Sequence, residues 1–140
     1  MSAVKAFLDT NIFVYLYTDS DADKCQQALD AISRCSRTVS TQVLNEFSSV
    51  CIRKMKLPVA TVKAAVSEIC ATCALDTVDE DTVMEALGLH EKYGYSYYDC
   101  LILASALSSG CEVVFSEDMA DGQVIEGSLT IKNIFAPEKA

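Results

Sequence analysis

Four acidic residues of this 140-residue chain stand where a parallel α/β sheet would bring them to one edge. Asp9 directly follows an apolar, β-prone run, Val4–Leu8, and Asp118 follows a second such run. Glu46 lies about one turn into a predicted helix, and Asp99 opens another. The carboxyl ends of parallel strands share one edge, where open α/β sheets bind ligands. We therefore expect these four side chains to converge.

Clustered carboxylates of this kind need a counter-ion. Two unit charges 4 Å apart repel by about 1 kcal/mol in water and by about 4 kcal/mol at an effective dielectric constant of 20. The cluster therefore takes up protons unless a divalent cation neutralises it. Ligation by oxygen alone, without paired histidine or cysteine, favours Mg²⁺ or Mn²⁺ over zinc. Such a cation suits phosphate-ester chemistry, and Asp121 is expected close to it.

Three of the four acids also have a purely structural explanation. Asp9 could cap the helix that follows the first strand, and Asp99 could stabilise the dipole of the helix it opens. Glu46 is a good helix former and could be an ordinary solvated residue, although its apolar neighbours place it near a buried face. The functional interpretation rests on the four acids arriving together.

The elements that must position these acids alternate between short strands and longer helices. Apolar runs predict strands at 4–8, 38–40, 75–78, 112–115 and 129–131. Apolar periodicity and end signals predict helices at 12–16, 21–35, 41–56, 58–73, 79–93 and 97–109. The predicted end signals are N-caps at Ser20, Ser40 or Thr41, and Ser96, a first helical residue at Pro58, and a terminating Gly110.

This alternation indicates a mostly parallel sheet covered by helices on both faces. No linker rich in glycine, serine or proline and no internal repeat interrupts it. We predict one three-layer α/β/α domain spanning residues 1–140, with a central sheet of about five strands.

Composition narrows the class of protein. A hydrophobic fraction of 51% excludes a disordered tail or linker. No apolar run approaches the roughly 20 residues of a membrane span. Asp9 and Asn11 interrupt the N-terminal apolar run, which therefore does not read as a secretory signal. We expect a soluble cytoplasmic protein that does not bind membranes.

The seven cysteines are expected to be reduced thiols that pack as small hydrophobic groups. Their number is odd, and most have apolar neighbours at helical spacing. The pair Cys70 and Cys73 forms a CxxC motif, which is also found at redox and zinc sites. Zinc takes four ligands, and the chain offers no second CxxC and only His90 as an imidazole. Packing is therefore the favoured explanation.

The net charge of −9 argues against general binding to polyanions, which depends on Lys and Arg. The concentrated basic stretch, Arg53, Lys54 and Lys56, follows Glu46 on the same predicted helix. It is either a solvated helix end or a rail for an RNA backbone. The four tyrosines just before Asp99 could pack in the core or in a dimer, or stack on unpaired bases.

Four sequence pieces carry a family resemblance. FLDTNIFVYLY, STQVLNEF, YSYYDCLILASAL and VVFSEDMADGQVIEGSLTIKNIF occur in this order and cover most of the chain. Together they resemble the PIN domain and, within it, the VapC-type ribonuclease toxins of bacterial and archaeal toxin–antitoxin pairs. The resemblance implies four acidic metal-site residues, which are Asp9, Glu46, Asp99 and Asp118. It also implies two polar supports, Asn11 and Ser116, and one accessory acid, Asp121. It further implies Mg²⁺ or Mn²⁺ as cofactor, RNA as substrate, homodimerisation, and a cognate antitoxin protein.

The predicted function is therefore a Mg²⁺- or Mn²⁺-dependent endoribonuclease, the toxin of a type II toxin–antitoxin pair, which hydrolyses RNA through a metal-activated water. One alternative is an aspartyl phosphatase with Asp9 as nucleophile. That chemistry typically uses a second carboxylate as general acid two residues after the nucleophile, where this chain has Asn11. The other is a non-catalytic module whose acids bind only metal or a basic partner, as the negative charge would permit.

Overall fold

The computed structural model of this chain describes residues 3–136, which form six strands and six helices. The strands are β1 (Val4–Leu8), β2 (Cys35–Ser40), β3 (Ala74–Asp76), β4 (Val113–Phe115), β5 (Val124–Ile125) and β6 (Leu129–Lys132). The helices are α1 (Thr10–Tyr17), α2 (Ala22–Ile32), α3 (Thr41–Arg53), α4 (Val59–Thr72), α5 (Glu80–Tyr93) and α6 (Tyr97–Ser108).

The six strands form one sheet in the order β3-β2-β1-β4-β6-β5. All neighbouring pairs are parallel except β5 and β6, which are antiparallel. The chain builds outward from β1 through β2 to β3, then crosses back to place β4 on the other side of β1. The strand order therefore reverses between β1 and β4, which is where open parallel sheets form their binding crevice.

The helices cover the sheet as right-handed crossovers require. The connections from β1 to β3 and the return to β4 run in opposite directions across the sheet, so their helices lie on opposite faces. α5 packs along α6, and α6 lies against β2 and β4, while α1 packs on α2 and α3. These layers confirm the predicted α/β fold. No helix within residues 3–136 is long and apolar enough to cross a membrane.

The core lies beneath the carboxyl ends of the central strands. The last three residues of β1 and of β2 are buried, whereas the exposed residues of both strands lie toward their amino ends. α6 is buried from Cys100 to Ala106, which explains why its sequence shows an apolar run and no amphipathic stripe. The seven cysteines are free, and three of them, Cys51, Cys100 and Cys111, are buried in this core.

The sheet has one strand more than the roughly five predicted. β5 has only two residues, and it joins β6 through a tight turn in which Glu126 and Gly127 have φ values of 51° and 71°. A two-residue strand is too short to show an alternating pattern. Two helix starts also differ by one residue, because Asp21 caps α2 instead of Ser20, and Pro58 is itself the N-cap of α4.

Three helices that carry candidate site residues begin at the same edge, each with a side-chain cap. Asp9 caps α1 by accepting a hydrogen bond from the Thr10 N–H. The Ser40 hydroxyl caps α3, and the Ser96 hydroxyl caps α6. These caps fix the first turn of each helix relative to the strand ends.

Two glycines of α5 give a paired test of this structure. Gly88 lies inside the helix, and Gly94 ends it with φ of 78°; a Cβ atom at either position would meet nothing within 4 Å. Gly88→Ala should stabilise the protein by about 0.5–1 kcal/mol because alanine loses less backbone entropy. Gly94→Ala should destabilise it by about 1–2 kcal/mol because a side chain disfavours the left-handed conformation. Urea unfolding measures both, and shifts of the same sign would contradict these assigned ends of α5.

Candidate active site

Asp9 is a buried carboxylate at the end of the central strand, with 4% of its surface exposed. The pairing of Leu8 with Phe115 places the next residues of β1 and β4 side by side. Asp9 Oδ1 accepts a hydrogen bond from the Thr10 N–H at 2.7 Å, and Oδ2 accepts one from the Ser116 hydroxyl at 2.8 Å. Asp9 therefore caps the helix through Oδ1 while Oδ2 faces Ser116, so capping and the predicted site role do not exclude each other.

Asp118 is held at the same edge by two neutral side chains. The Asn11 amide donates to Asp118 Oδ2 at 2.9 Å. The Ser116 hydroxyl, which donates to Asp9, also accepts from the Asp118 N–H at 3.2 Å. Asn11 and Ser116 thus lie where they can orient the two acids.

Glu46 is anchored through both of its carboxylate oxygens. The Thr10 hydroxyl donates to Oε2 at 2.7 Å, and the Gln42 amide donates to Oε1 at 3.1 Å. Thr10 is buried beside Asp9, so one short turn contacts both acids. The Thr10 contact ties α3 to the end of β1.

Asp99 lies in the first turn of α6 and is connected to the other acids by charge. Burial is the main cause of its raised pKa, and the charges of Asp118 and Glu46 raise it further. Burial likewise raises the pKa of Asp9 to about 7, against the hydrogen bonds from Ser116 and Thr10, with added repulsion from Asp118 and Asp99. These mutual repulsions place the four acids within one electrostatic neighbourhood.

In the part of the chain that the structure describes, no cationic side chain forms a salt bridge with any of the four acids. Within residues 3–136 the salt bridges join Lys24 to Glu117 and Lys92 to Glu126, each at 2.9 Å. Lys24 exerts a weaker, opposing effect on Asp118, whose pKa is raised mainly by burial. The uncompensated, oxygen-only donor set matches the chemistry of Mg²⁺ or Mn²⁺.

The donor atoms of the four acids suit a divalent ion, but the distances between the side chains do not. In the described part of the chain, no three acidic, histidine or cysteine side chains are close enough to hold a metal ion. Carboxylate oxygens of three of them, Asp9, Glu46 and Asp118, already accept hydrogen bonds from Ser116, Thr10, Asn11 and Gln42. Binding an ion would require some of these carboxylates to turn, and Asp118 is the most exposed of the four, although its carboxyl group is still partly desolvated.

Asp121 forms its hydrogen bond outside the network that holds the four acids. Its Oδ1 accepts a hydrogen bond from the Asn133 N–H at 2.8 Å, which fixes the segment after β6. Asp121 also lines a depression of about 860 Å³ together with Arg34 and Lys132, and none of the four acids lines it. The structure therefore gives Asp121 a role in the backbone of this segment.

The tyrosines before Asp99 separate into two groups. The Tyr93 hydroxyl accepts from the Glu126 N–H, and the Tyr95 hydroxyl accepts from the Ala120 N–H, so both fix the segment between β4 and β6. Tyr98 is 60% exposed and packs against Tyr97 with a ring-centroid distance of 5.7 Å. Tyr98 is thus the aromatic side chain available to a ligand beside Asp99.

Sequence reasoning did not find Thr10 and Gln42 as supports of Glu46. Gln42 lies four residues before Glu46 on one helix face, a spacing that could have indicated the contact. Thr10 lies 36 positions from Glu46, and no local pattern predicts such a pair.

The chain belongs to the PIN domain family, whose model matches residues 6–120. No curated protein matches the chain in sequence. Solved structures share the fold at low identity. The chain is 21% identical to the toxin VapC20 of Mycobacterium tuberculosis, described as cleaving the sarcin-ricin loop, with a TM-score of 0.66 over 81% of this chain and 91% of that one.

Two further structures come from toxin–antitoxin complexes. A complex from Klebsiella pneumoniae matches with a TM-score of 0.70 and 17% identity, over 93% of this chain and 98% of the other. DNA-bound VapBC from Salmonella typhimurium matches with a TM-score of 0.67 and 18% identity, over 94% and 98%. The PIN fold of this chain is therefore the fold of toxins in such pairs.

The raised pKa of Asp9 predicts that Asp9→Asn increases the stability of the metal-free protein, and that this increase depends on pH. A folded-state pKa of about 7 against an ordinary 3.8 means that wild-type stability falls as the pH rises between these values. The amide does not ionise, so the variant should gain about 2–3 kcal/mol on the wild type between pH 5 and pH 8. Urea unfolding in a chelator measures this difference. The control Asp23→Asn makes the same change at an exposed residue of α2, and a gain at position 9 that is constant with pH would contradict the prediction.

Proposed function

We propose that this protein is a Mg²⁺- or Mn²⁺-dependent endoribonuclease and the toxin of a type II toxin–antitoxin pair. The observation that carries the proposal is the group of four acids at the switch point of the sheet. Asp9, Asp99 and Asp118 have raised pKa values, and Glu46 shares the Thr10 turn with Asp9. Membership of the PIN family and the fold shared with a toxin described as cleaving the sarcin-ricin loop support the same activity.

In this proposal Asp9, Asp99 and Asp118 hold the cation, and Glu46 does so directly or through water. The ion would supply charge for the phosphate oxygens and lower the pKa of a water molecule. The chain's own contribution is orientation. Ser116 and the Thr10 N–H donate to Asp9, and hydrogen bonds to a carboxylate favour its charged form.

Neutral side chains orient Asp118 and Glu46 and leave their charge free to bind the cation. Asn11 fixes one oxygen of Asp118, and Thr10 and Gln42 fix the oxygens of Glu46. These groups orient carboxylates without adding positive charge. Such partners of ligating carboxylates commonly matter to metal affinity or activity by about 10–100-fold.

The RNA would approach along α3 and past the start of α6. Arg53 follows Glu46 by seven residues on α3, so it lies on the same helix face about 10 Å away along the axis. Arg53, Lys54 and Lys56 are exposed and can contact phosphates there. Tyr98, exposed beside Asp99, can stack on an unpaired base. A local basic stretch is needed because the net charge is −9.

The proposed partners are a second copy of the chain and a cognate antitoxin protein, in the cytoplasm. Similar structures described as toxin–antitoxin complexes, some of them bound to DNA, support the antitoxin. Because this chain shares only the fold with those complexes, direct binding experiments are what would identify its partner.

The aspartyl-phosphatase alternative is disfavoured by a contact of Asn11. A general acid would be needed two residues after Asp9, and the Asn11 amide there is engaged with Asp118. A non-catalytic module would keep the same acids and bind the ion without cleavage.

The direct test is cleavage of RNA by the purified protein with Mg²⁺ or Mn²⁺. Wild type should release fragments with a 5′-phosphate and a 3′-hydroxyl, and it should also cut RNA with methylated 2′-oxygens, because water is the attacking group. Asp9→Asn and Asp99→Asn should abolish cutting in folded protein, and Asn11→Ala should lower it by about 10–100-fold.

Asp23→Asn serves again as the control and should cut like wild type. Loss of all cutting on methylated RNA would exclude water as the attacking group. Mn²⁺ binding without cleavage of any RNA would establish the non-catalytic module instead, and a trapped phosphoryl group on Asp9 would establish the phosphatase.

A further inference from the structure

A second polar cluster includes Glu117, which stands between Ser116 and Asp118 in the chain. It joins three separate parts of the chain. Lys24 of α2 donates to Glu117 Oε2 at 2.9 Å and to the Tyr15 hydroxyl at 3.2 Å. The Tyr15 hydroxyl itself donates to Glu117 Oε1. Both oxygens of Glu117 are thereby bound, one by a cation and one by a phenol.

Two aromatic rings lie against the Lys24 ammonium of this cluster. The Lys24 ammonium lies 5.0 Å from the Tyr15 ring centroid and 5.4 Å from that of Phe135. The two rings pack edge to face at 5.1 Å. The side chain of Glu117 is 17% exposed and that of Lys24 is 34% exposed, so the carboxylate end of the pair is better shielded from water than that of an ordinary surface ion pair.

The position of Glu117 in the chain connects this cluster to the acidic site. Its neighbours on either side are Ser116, which donates to Asp9, and Asp118, which accepts from Asn11. The side chain of Glu117 is directed to α1 and α2, whereas those two neighbours bind residues of the site. Holding Glu117 therefore restrains the backbone that presents both neighbours.

We propose that Lys24 and Tyr15 are positioning residues for the acidic site, because they clamp Glu117 and so fix the segment Ser116–Asp118 against Asp9. The inference rests on the proposed nuclease function for its effect on catalysis. Its effect on the segment itself does not depend on that function.

The first measurement is amide hydrogen exchange of the segment after β4 in metal-free protein. Lys24→Met keeps the length of the side chain and removes its charge, and it should speed exchange at residues 116–118 about tenfold by favouring local opening. Lys24→Arg should restore protection because it keeps the charge and the donors. Lys92→Met is the matched control, since Lys92 also bridges a glutamate at 2.9 Å and lies over a tyrosine ring, but that glutamate, Glu126, lies in the turn between β5 and β6 and not between Ser116 and Asp118.

The second measurement is steady-state cleavage of RNA. Lys24→Met should lower kcat about 10–100-fold with KM changed by less than about threefold, because the acids are misplaced and the RNA-binding surface is intact. Lys92→Met and Lys24→Arg should stay near wild type. Tyr15→Phe, which keeps the ring against Phe135, should show a smaller effect of the same kind and replaces Lys24→Met if that variant does not fold.

Unchanged exchange at residues 116–118 in both Lys24→Met and Tyr15→Phe would overturn the proposal. A raised KM with unchanged kcat would overturn it too, because Lys24 would then contact RNA directly. If the wild type cleaves no RNA, the proposed function fails, and the exchange measurement alone decides whether Lys24 and Tyr15 position the segment.

Discussion

The structure depends on keeping one carboxylate, Asp9, buried among other carboxylates at the end of the central strand. Burial raises its pKa to about 7, and the charges of Asp99 and Asp118 act in the same direction. Such an arrangement opposes stability in the absence of a cation. The adjacency of β1 and β4 brings Asp9 beside Ser116, and Asp118 follows Ser116 by two residues.

Neutral donors surround the acids, and this choice has a chemical consequence. Serine, threonine and asparagine side chains hold Asp9, Glu46 and Asp118 without neutralising them. The nearby cation, Lys24, is bound to Glu117 instead of to these acids. The protein therefore does not neutralise the charge of these acids, whereas direct ion pairs would have relieved the repulsion that a divalent cation can relieve.

The fold, and the strand end and helix starts that carry the candidate acids, could be predicted because the signals were local. Val4–Leu8 is an apolar strand that ends directly at a carboxylate, and Ser96 caps the helix that carries Asp99. The support of Glu46 by Thr10 could not be predicted, since the contact depends on how α3 sits against the end of β1. The two-residue β5 was missed because it exists only through its pairing with β6.

Asp121 makes a contact that its place in the sequence does not reveal. The accessory acid that the resemblance implies at this position stays a prediction, and the structure adds that one carboxylate oxygen, Oδ1, accepts a hydrogen bond from the Asn133 N–H. Sequence distance could not predict this contact, because the chain turns back toward β6 within the intervening residues. The same turn separates the acids of one short stretch, Glu117, Asp118 and Asp121, into three different environments.

The measurement that tests the central claim most directly is a crystal structure of the protein soaked in Mn²⁺, with anomalous scattering used to locate the ion. The account predicts a peak between Asp9, Asp99 and Asp118, with at least two of their oxygens within about 2.3 Å of it, and no such peak in Asp9→Asn. A manganese ion bound elsewhere in the molecule, or none at this edge at millimolar concentration, would contradict the account.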